Sequence, residues 1–298
     1  MEKDIPTVGF QGESGAYSEK AVQLYFSEVT SRSYRSFSDL FLAIENDQID
    51  LVILPIENSI EGSVIESYEL LLRSDLSVVG EINVKVDHCL ISHHNTKKED
   101  IDVIYSHTQA LGQCKNYLKK MGCNAIATYD TAGSVKMIKE KNMKRSAAIA
   151  SKEAAEIYEM NVIDENIQDH KDNFTRFFCL SKNRTKSTGN DKTSIVFSAG
   201  DVSGALYKAL KEFANGDINL TKIESRLTRK KAWEYNFYLD FDHNQLSGGL
   251  VLGYSLINKY DWGLDLLGTN IQAGFDEQGL GFYNDGVIDP LRGIKKRN

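Results

Sequence analysis

Short apolar runs alternate with a helical pattern through the first 60 residues. Thr7–Phe10 and Leu51–Ile56 are continuous apolar stretches of strand length. Between them, Ala16–Val29 places Tyr17 and Ala21 at helical spacing. Alternation of strands and helices is typical of parallel α/β structure, which is the fold class we expect here.

A second series of alternating elements predicts a second lobe. Four apolar runs are expected to be strands, at Asp87–Ile91, Val103–Ser106, Ala125–Thr128 and Ala147–Ala150. Helices are expected to begin near Thr108, Thr131 and Ser151. This spacing favours two small α/β lobes over one long sheet.

The pattern changes after a polar stretch, Ser181–Asp191, which has no large apolar residue and is predicted to be a linker. The elements beyond it form a βαββ series. They are a strand at Thr193–Phe197, a helix that ends at Gly216, and strands at Asn219–Leu227 and Trp233–Asp242. In the last strand apolar and polar side chains alternate, as in a sheet that is covered on one face only.

A further helix and strand are needed to close this series. Leu246–Ile257 is the expected helix, although its glycines weaken it, and Leu264–Leu267 is the expected strand. The predicted organisation is therefore a two-lobed domain over residues 1–182, a linker over 183–191, a second domain over 192–271 and a tail over 272–298.

Composition and charge narrow the class of protein. The 298 residues are 41% hydrophobic and 26% charged, which is typical of a soluble globular chain. A formal charge of −7 gives no overall positive field for nucleic acid or an anionic membrane, so neither is an expected partner. No apolar stretch approaches a signal peptide or a membrane span, and we expect a cytoplasmic protein.

Neither metal nor redox chemistry is expected. The four cysteines form no C-x-x-C pair and are predicted to be reduced thiols. His93 and His94 are predicted to be a solvated loop pair, because no third ligand follows at helical spacing.

Three junctions between a strand and the following helix carry small and hydroxyl residues, at Gly12–Gly15, Asn58–Ser63 and Thr131–Ser134. Free backbone N–H groups at helix starts bind carboxylates or phosphates, and ligands of open α/β sheets bind at the carboxyl ends of the strands. Ordinary helix capping is the alternative at each junction. Junctions from both lobes would face one cleft, where a small anion could bind.

Thr175 and Arg176 interrupt an otherwise apolar strand pattern within Asp169–Phe178. Arginine offers a fork of donors to a carboxylate, and threonine offers a neutral hydroxyl donor. The residues alone leave Arg176 open between a ligand clamp and a structural ion pair. His107 and His170 have no recognisable nucleophile partner, so no Ser/His/acid triad is predicted.

Four motifs in this order and spacing resemble those of the prephenate dehydratases. They are VGFQGESGAYSEKA at Val8–Ala21, PIENSIEGSV at Pro55–Val64, SHTQALGQC at Ser106–Cys114 and NFTRFF at Asn173–Phe178. GALYKAL at Gly204–Leu210 and NLTKIESR at Asn219–Arg226 resemble the ACT regulatory domain that ends those enzymes. The resemblance covers about residues 5–270.

The resemblance implies a two-lobed, periplasmic-binding-protein-like catalytic domain followed by a βαββαβ ferredoxin-like ACT domain. The implied activity is that of a carbon–oxygen lyase, converting prephenate to phenylpyruvate, water and carbon dioxide with no metal or organic cofactor. Phenylalanine is the implied feedback inhibitor, and a homodimer or homotetramer is the implied assembly.

The resemblance also implies roles for individual residues. Thr175 would donate to the leaving hydroxyl and Arg176 would bind a substrate carboxylate, with Asn58 and Ser59 beside them. The expected substrate-binding residues are Ser14, Gly15, Gly62, Ser63, Gln109, Thr131, Ala132, Asn173 and Phe177. The expected phenylalanine-binding residues are Gly204, Ala205, Leu206, Asn219, Leu220, Glu224 and Ser225.

Ser203 and Leu227 stand where the family usually has proline, so we expect phenylalanine to bind more weakly than is usual. Two other functions remain open at this point. Arogenate dehydratase would perform the same chemistry on the transaminated substrate, and a non-enzymatic amino-acid sensor could use the same two-lobed architecture.

Overall fold

The computed structural model describes residues 5–183, 191–198, 203–227, 235–243, 264–271, 274–275 and 281–282. They fall into two compact units. The first comprises the described residues within 1–70, 82–178 and 275–282, and the second comprises those within 71–81 and 179–274. The second unit thus takes in a segment that precedes the predicted linker.

The first lobe begins with alternating strands and helices, as the apolar pattern predicts. Its elements are β1 (Thr7–Gln11), α1 (Tyr17–Tyr25), β2 (Thr30–Tyr34), α2 (Phe37–Glu45), β3 (Leu51–Asn58), β4 (Gly62–Ser63), α3 (Ile65–Leu71) and β5 (Ser77–Lys85). Strand β1 pairs in parallel with both β2 and β3. Strand β2 was not expected, because its sequence, TSRSY, has no apolar alternation and four of its five residues are exposed.

The second lobe is built on a five-stranded sheet. Its elements are β6 (Cys89–Ser92), a 3₁₀ turn (Lys98–Asp100), β7 (Val103–His107), α4 (Thr108–Gln113), α5 (Lys115–Met121), β8 (Asn124–Thr128), α6 (Thr131–Glu140), β9 (Ser146–Ala150), α7 (Lys152–Ile157) and β10 (Asn161–Asp164). The strand order is β10-β6-β9-β7-β8. Strands β7, β8 and β9 are parallel, whereas β6 is antiparallel to β9 and β10. The sheet is therefore mixed, although alternating strands and helices are typical of parallel structure.

The chain then returns to the first lobe as β11 (Phe174–Ser181), which lies between β5 and β3 in the order β5-β11-β3-β1-β2. Two segments therefore connect the lobes, one before β6 and one before β11. They bond to each other, because the Val86 amide donates to the Asn173 carbonyl and the Ile167 amide donates to the His88 carbonyl. The two connections form a paired crossing between the lobes.

The second unit contains the βαββ series that the alternation predicts. Its elements are β12 (Asp191–Ser198), α8 (Ala205–Asn215), β13 (Leu220–Leu227), β14 (Tyr235–His243) and β15 (Leu264–Ile271). The sheet order is β13-β14-β12-β15, with antiparallel pairs. The apolar face of β14 packs against α8, where Phe213 and Phe241 are 1% exposed. The helix expected at Leu246–Ile257 lies outside the described residues.

Two short strands complete the description: β16 (Gly274–Phe275) and β17 (Gly281–Phe282) form a two-stranded sheet. In the part of the chain that the structure describes, no helix is long and apolar enough to cross a membrane.

The two lobes touch closely at Gly15, which follows β1. Its φ is +87°, and a Cβ added there would lie 2.6 Å from Cα of Ala154. The Gly15 carbonyl also accepts a 2.6 Å hydrogen bond from the hydroxyl of Ser151. Glycine is needed here both for the backbone conformation and for the contact between lobes.

Replacing Gly15 with alanine is expected to lower the free energy of unfolding by about 1–3 kcal/mol, because it combines a strained φ with a backbone clash. Urea denaturation followed by circular dichroism measures this. Gly112→Ala is the matched control, since Gly112 lies in α4 and an added Cβ would meet nothing within 4 Å. A Gly15→Ala protein as stable as the Gly112→Ala protein would contradict the tight contact.

Candidate active site

A cavity of about 480 Å³ lies in the first unit and is lined by residues of both lobes. Gln11, Arg35, Asn58 and Thr175 come from the first lobe and the strand that returns to it, and Gln109 and Thr131 come from the second. Polar groups from separate elements converge on one space, which is typical of a ligand site.

Asn58 organises one wall of this cavity. Its Oδ1 accepts the backbone N–H groups of Ile60 and Glu61, at 2.9 and 3.0 Å. Its Nδ2 therefore faces the other way and donates to Oγ1 of Thr175 at 3.0 Å. Nδ2 also lies 2.8 Å from Oδ1 of Asn173 and 3.1 Å from the Phe174 carbonyl oxygen. The backbone of the β3–β4 hairpin thus fixes the orientation of the amide.

The orientation of Asn58 determines what the Thr175 hydroxyl can do. Because Oγ1 accepts from Asn58, the single Thr175 hydroxyl proton remains available to another acceptor. Thr175 is half-buried and lines the cavity, so that acceptor can be a ligand. The structure thus places a neutral hydrogen-bond donor on the cavity wall.

The neighbouring residues of β11 alternate in direction, as a strand requires. Thr175 and Phe177 line the cavity, whereas Arg176 does not. Nη1 of Arg176 bonds to Oε1 of Glu57 at 3.1 Å, and its guanidinium lies 4.8 Å from the ring centre of Phe178. In this arrangement Arg176 forms an ion pair with Glu57, and a ligand-binding role for Arg176 stays a prediction.

The structure divides the expected site residues into two groups. Asn58, Gln109, Thr131, Thr175 and Phe177 line the cavity. The lining does not include Ser14, Gly15, Ser59, Gly62, Ser63, Ala132, Asn173 or Arg176.

Several residues of the second group lie behind the lining and fix the chain segments that carry the lining residues. The Ser59 hydroxyl donates to the Asp172 carbonyl and accepts from the Phe174 amide, which ties the hairpin to the start of β11. Asn173 is completely buried. Gly62 turns the β3–β4 hairpin with a φ of +81°.

Sequence reasoning missed part of the lining. Tyr17, Arg35, His88, Gln113, Tyr129 and Asp130 all contribute to it. Gln113 and Tyr17 lie within the motifs quoted above, so the motifs could have identified them as site residues. Arg35 follows the polar strand β2, which the apolar pattern does not reveal.

Two helices of the second lobe are capped by the residue that precedes them. Asp130 caps α6, with its Oδ1 2.6 Å from the Gly133 amide. The ring of His107 accepts weakly from the Gln109 amide at 3.4 Å and caps α4. Burial raises the pKa of Asp130. Its capping hydrogen bond opposes that effect on the pKa.

Glu13 joins the lobes beside the cavity. Its carboxylate accepts from Lys136 Nζ and from the Tyr129 hydroxyl, both at 2.9 Å. The hydrogen bond from Lys136 lowers the pKa of Glu13. Because Tyr129 lines the cavity, this contact fixes one edge of the site.

His88 lies deeper, at 2% exposure, where the chain crosses between the lobes. Its Nε2 is 2.9 Å from Oε1 of Gln113, and its Nδ1 is 3.1 Å from the Tyr17 hydroxyl. Burial lowers the pKa of His88, so the imidazole is neutral near pH 7.

Among the described residues, no group of three or more His, Cys, Asp or Glu side chains is arranged to hold a metal ion. The four cysteines are free thiols. Burial raises the pKa of Cys114 to about 12 and that of Cys89 to about 11, so neither is a reactive thiolate near neutral pH.

The sequence model of the family described as prephenate dehydratase matches residues 8–185. The chain belongs to the prephenate dehydratase family. The match runs from the second residue of β1 to beyond the end of β11 and so spans the two lobes that line the cavity.

Two curated relatives show how far the similarity extends. The chain is 42% identical over 241 residues to prephenate dehydratase of Methanocaldococcus jannaschii, covering 78% of this chain and 86% of that protein. It is 44% identical over 246 residues to arogenate dehydratase/prephenate dehydratase 2, chloroplastic, of Arabidopsis thaliana. That match covers 79% of this chain and 65% of the plant protein, so the chain spans about 65% of that relative's length.

Two solved structures have the same mixed α/β fold with a TM-score of 0.80 and 27% identity. One is prephenate dehydratase from Arthrobacter aurescens in complex with L-Phe, covering 89% of this chain and 90% of that one. The other is described as GqqA, a novel type of quorum quenching acylase, covering 90% of this chain and 98% of that one.

Proposed function

We propose that this chain is a prephenate dehydratase, a carbon–oxygen lyase that converts prephenate to phenylpyruvate, water and carbon dioxide. Family membership supports the reaction class. The observation that carries the proposal is the Thr175 hydroxyl, which accepts from Asn58 and therefore keeps its proton for a ligand in the cavity.

The reaction needs a positioned donor more than a strong base. The bond from the ring to its carboxylate breaks, and its electron pair moves through the ring to expel the hydroxyl on the opposite carbon. The ring becomes aromatic, carbon dioxide leaves, and the departing hydroxide takes up one proton to become water. Hydrogen bonding by Thr175 to that oxygen stabilises the charge that develops on it in the transition state. The proton finally consumed comes from solvent.

The substrate carries two carboxylates, and Arg35 is the arginine among the residues that line the cavity. We assign the binding of one substrate carboxylate to Arg35, because Arg176 is directed toward Glu57 instead. Backbone and hydroxyl donors near Thr131, at the start of α6, contribute polar contacts on the opposite side. No cofactor enters this mechanism.

Replacing Thr175 with valine is expected to reduce kcat by about 10²–10⁴-fold, because a positioned donor is lost while the shape is kept. Thr175→Ser keeps the hydroxyl and is expected to retain much of the activity. Phenylpyruvate formation from prephenate measures both. A folded Thr175→Val protein with normal kcat would show that the hydroxyl has no part in the reaction.

Replacing Arg35 with glutamine is expected to raise KM about tenfold or more, since a hydrogen bond to a charged group contributes about 1.5–3 kcal/mol. Arg32→Gln is the matched control, because Arg32 lies over the ring of Tyr34 at 5.6 Å and does not line the cavity. Equal KM values for the two variants would show that Arg35 does not bind the substrate.

We also propose that the second unit is an ACT regulatory domain that binds phenylalanine. Its strand order, β13-β14-β12-β15, is the order of a ferredoxin-like sheet and supports this assignment. The Arthrobacter relative was solved with L-Phe, which supports the choice of ligand. Pairing with a second copy is part of the proposal, because the edge strand β13 exposes Ile223 and Leu227.

The expected phenylalanine-binding residues occupy two places in this unit. Gly204, Ala205 and Leu206 lie at the start of α8, and Gly204 has a φ of +79° with no side-chain cap. Asn219, Leu220, Glu224 and Ser225 lie on or just before β13. Glu224 already contacts Lys222 and Arg226. An ammonium group would therefore compete with these cations.

Phenylalanine at millimolar concentration is expected to bind and to inhibit turnover, with an affinity weakened by Ser203 and Leu227. Calorimetry and a parallel activity assay test this, and a coupling of about 1–3 kcal/mol between the two sites would be typical. No heat and no inhibition at that concentration would leave the second unit without a regulatory role.

Arogenate dehydratase is the first alternative, because the plant relative carries both activities in its name. Parallel assays with prephenate and arogenate decide the preference.

An acylase is a second alternative, because one structural neighbour is described as such an enzyme. It would require an activated nucleophile, yet the two histidines that line the cavity bond elsewhere: His88 to Tyr17 and Gln113, and His107 to the Gln109 amide. A ligand sensor would have no need for the Thr175 donor.

A further inference from the structure

Tyr129 is an aromatic residue of the cavity lining that the mechanism proposed above does not use. It lies in the short connection between β8 and α6, and 53% of it is exposed. An exposed side chain ordinarily changes rotamer on a fast timescale. The neighbours of Tyr129 restrict its ring from two directions.

Glu13 holds the hydroxyl end of the ring. The Tyr129 hydroxyl donates to Oε1 of Glu13 at 2.9 Å, and Nζ of Lys136 donates to the other carboxylate oxygen, also at 2.9 Å. Glu13 lies between β1 and α1 of the first lobe, whereas Tyr129 and Lys136 belong to the second. Burial and the hydrogen bond to Glu13 raise the pKa of Tyr129, so the phenol keeps its proton near neutral pH.

Gly133 leaves the space that the ring occupies. A Cβ added to Gly133, in the first turn of α6, would lie 2.6 Å from the Tyr129 oxygen and 2.7 Å from Cζ. Gly133 is not among the described glycines with positive φ, so its backbone conformation does not require glycine. A helix prefers alanine to glycine by about 1 kcal/mol. The close approach of the ring is therefore the feature that accounts for glycine at this position.

The hydrogen bond to Glu13 determines what Tyr129 can offer a ligand. The single hydroxyl proton is used on Glu13, so Tyr129 presents ring carbons and an oxygen lone pair to the cavity. A carboxylate finds no donor there, whereas an apolar ring gains a favourable packing contact. Arg35 and Thr175 line the same cavity and suit a carboxylate and a hydroxyl. These three side chains together favour one orientation of a ligand that carries all three groups.

We propose that Tyr129 packs against the ring of the bound substrate, and that Glu13 and Gly133 are positioning residues that hold the Tyr129 ring at the cavity. The inference rests on the proposed function for the identity of that substrate. It does not rest on it for the position of the Tyr129 ring, which is a property of the protein alone.

The first test reads the position of the ring without any reaction. The chain is labelled with 3-fluorotyrosine, and the fluorine-19 NMR resonance of Tyr129 is assigned by its loss in Tyr129→Phe. Gly133→Ala is expected to shift this resonance, because the added methyl group displaces the ring. Gly112→Ala is the matched control and is expected to leave it in place, since its Cβ would meet nothing within 4 Å. An unchanged resonance in Gly133→Ala would overturn the proposal whatever reaction the protein catalyses.

The second test reads substrate binding. Tyr129→Ala is expected to raise KM for prephenate about tenfold with a smaller change in kcat, because an apolar contact made on binding is lost. Tyr129→Phe keeps the ring and is expected to recover most of that loss. A wild-type KM in Tyr129→Ala, or no recovery in Tyr129→Phe, would contradict the proposal.

A double-mutant cycle separates positioning of the ring from any other role of Gly133. Gly133→Ala is expected to raise KM in the wild-type background and to have little further effect in a Tyr129→Ala background, where there is no ring left to displace. An equal rise in both backgrounds would contradict the proposal. A wild-type chain that turns over neither prephenate nor arogenate would instead contradict the proposed function, and the fluorine resonance would still decide the position of the ring.

Discussion

The hydrogen bonds of the Asn58 side chain are the constraint on which the cavity wall depends. One amide group links the backbone of the β3–β4 hairpin to Asn173 and to the Thr175 hydroxyl. Because an amide has a donor end and an acceptor end, fixing one end determines the role of every partner at the other. The wall therefore presents hydrogen-bond donors in a fixed direction, which the proposed reaction needs in order to stabilise a departing hydroxide.

The paired crossing between the lobes keeps this wall in place. The amide of Val86 and the carbonyl of Asn173 join the two crossing segments directly. The Tyr17 hydroxyl, from α1 of the first lobe, donates to the Asp87 carbonyl at 2.7 Å. The side chains that orient Thr175 therefore lie where the lobes meet. A change in the angle between the lobes would disturb the cavity wall together with the paired crossing.

Much of the fold follows from apolar patterning, because buried strands such as β3 are continuous apolar runs and strands such as β14 alternate. The polar strand β2 could not be predicted from apolar patterning, since its edge position leaves most of its side chains in water. The reversed direction of β6 could not be predicted either, because it depends on how the chain crosses between the lobes.

A motif and a strand period together could place a residue at the cavity, whereas contacts between residues distant in sequence could not be foreseen. Thr175 and Asn58 lie in motifs and line the cavity. Arg176 lies in the same motif as Thr175, but strand alternation directs it to the other face, where Glu57 neutralises it. The contact between His88 and Gln113 joins residues 25 positions apart and could be found only in the folded chain.

Turnover by the purified wild-type chain tests the central claim most directly. With prephenate at neutral pH, the account predicts equimolar phenylpyruvate and carbon dioxide without added metal or cofactor, at a rate well above the uncatalysed reaction. Prephenate and arogenate that both remain unchanged after prolonged incubation with the folded chain would contradict it.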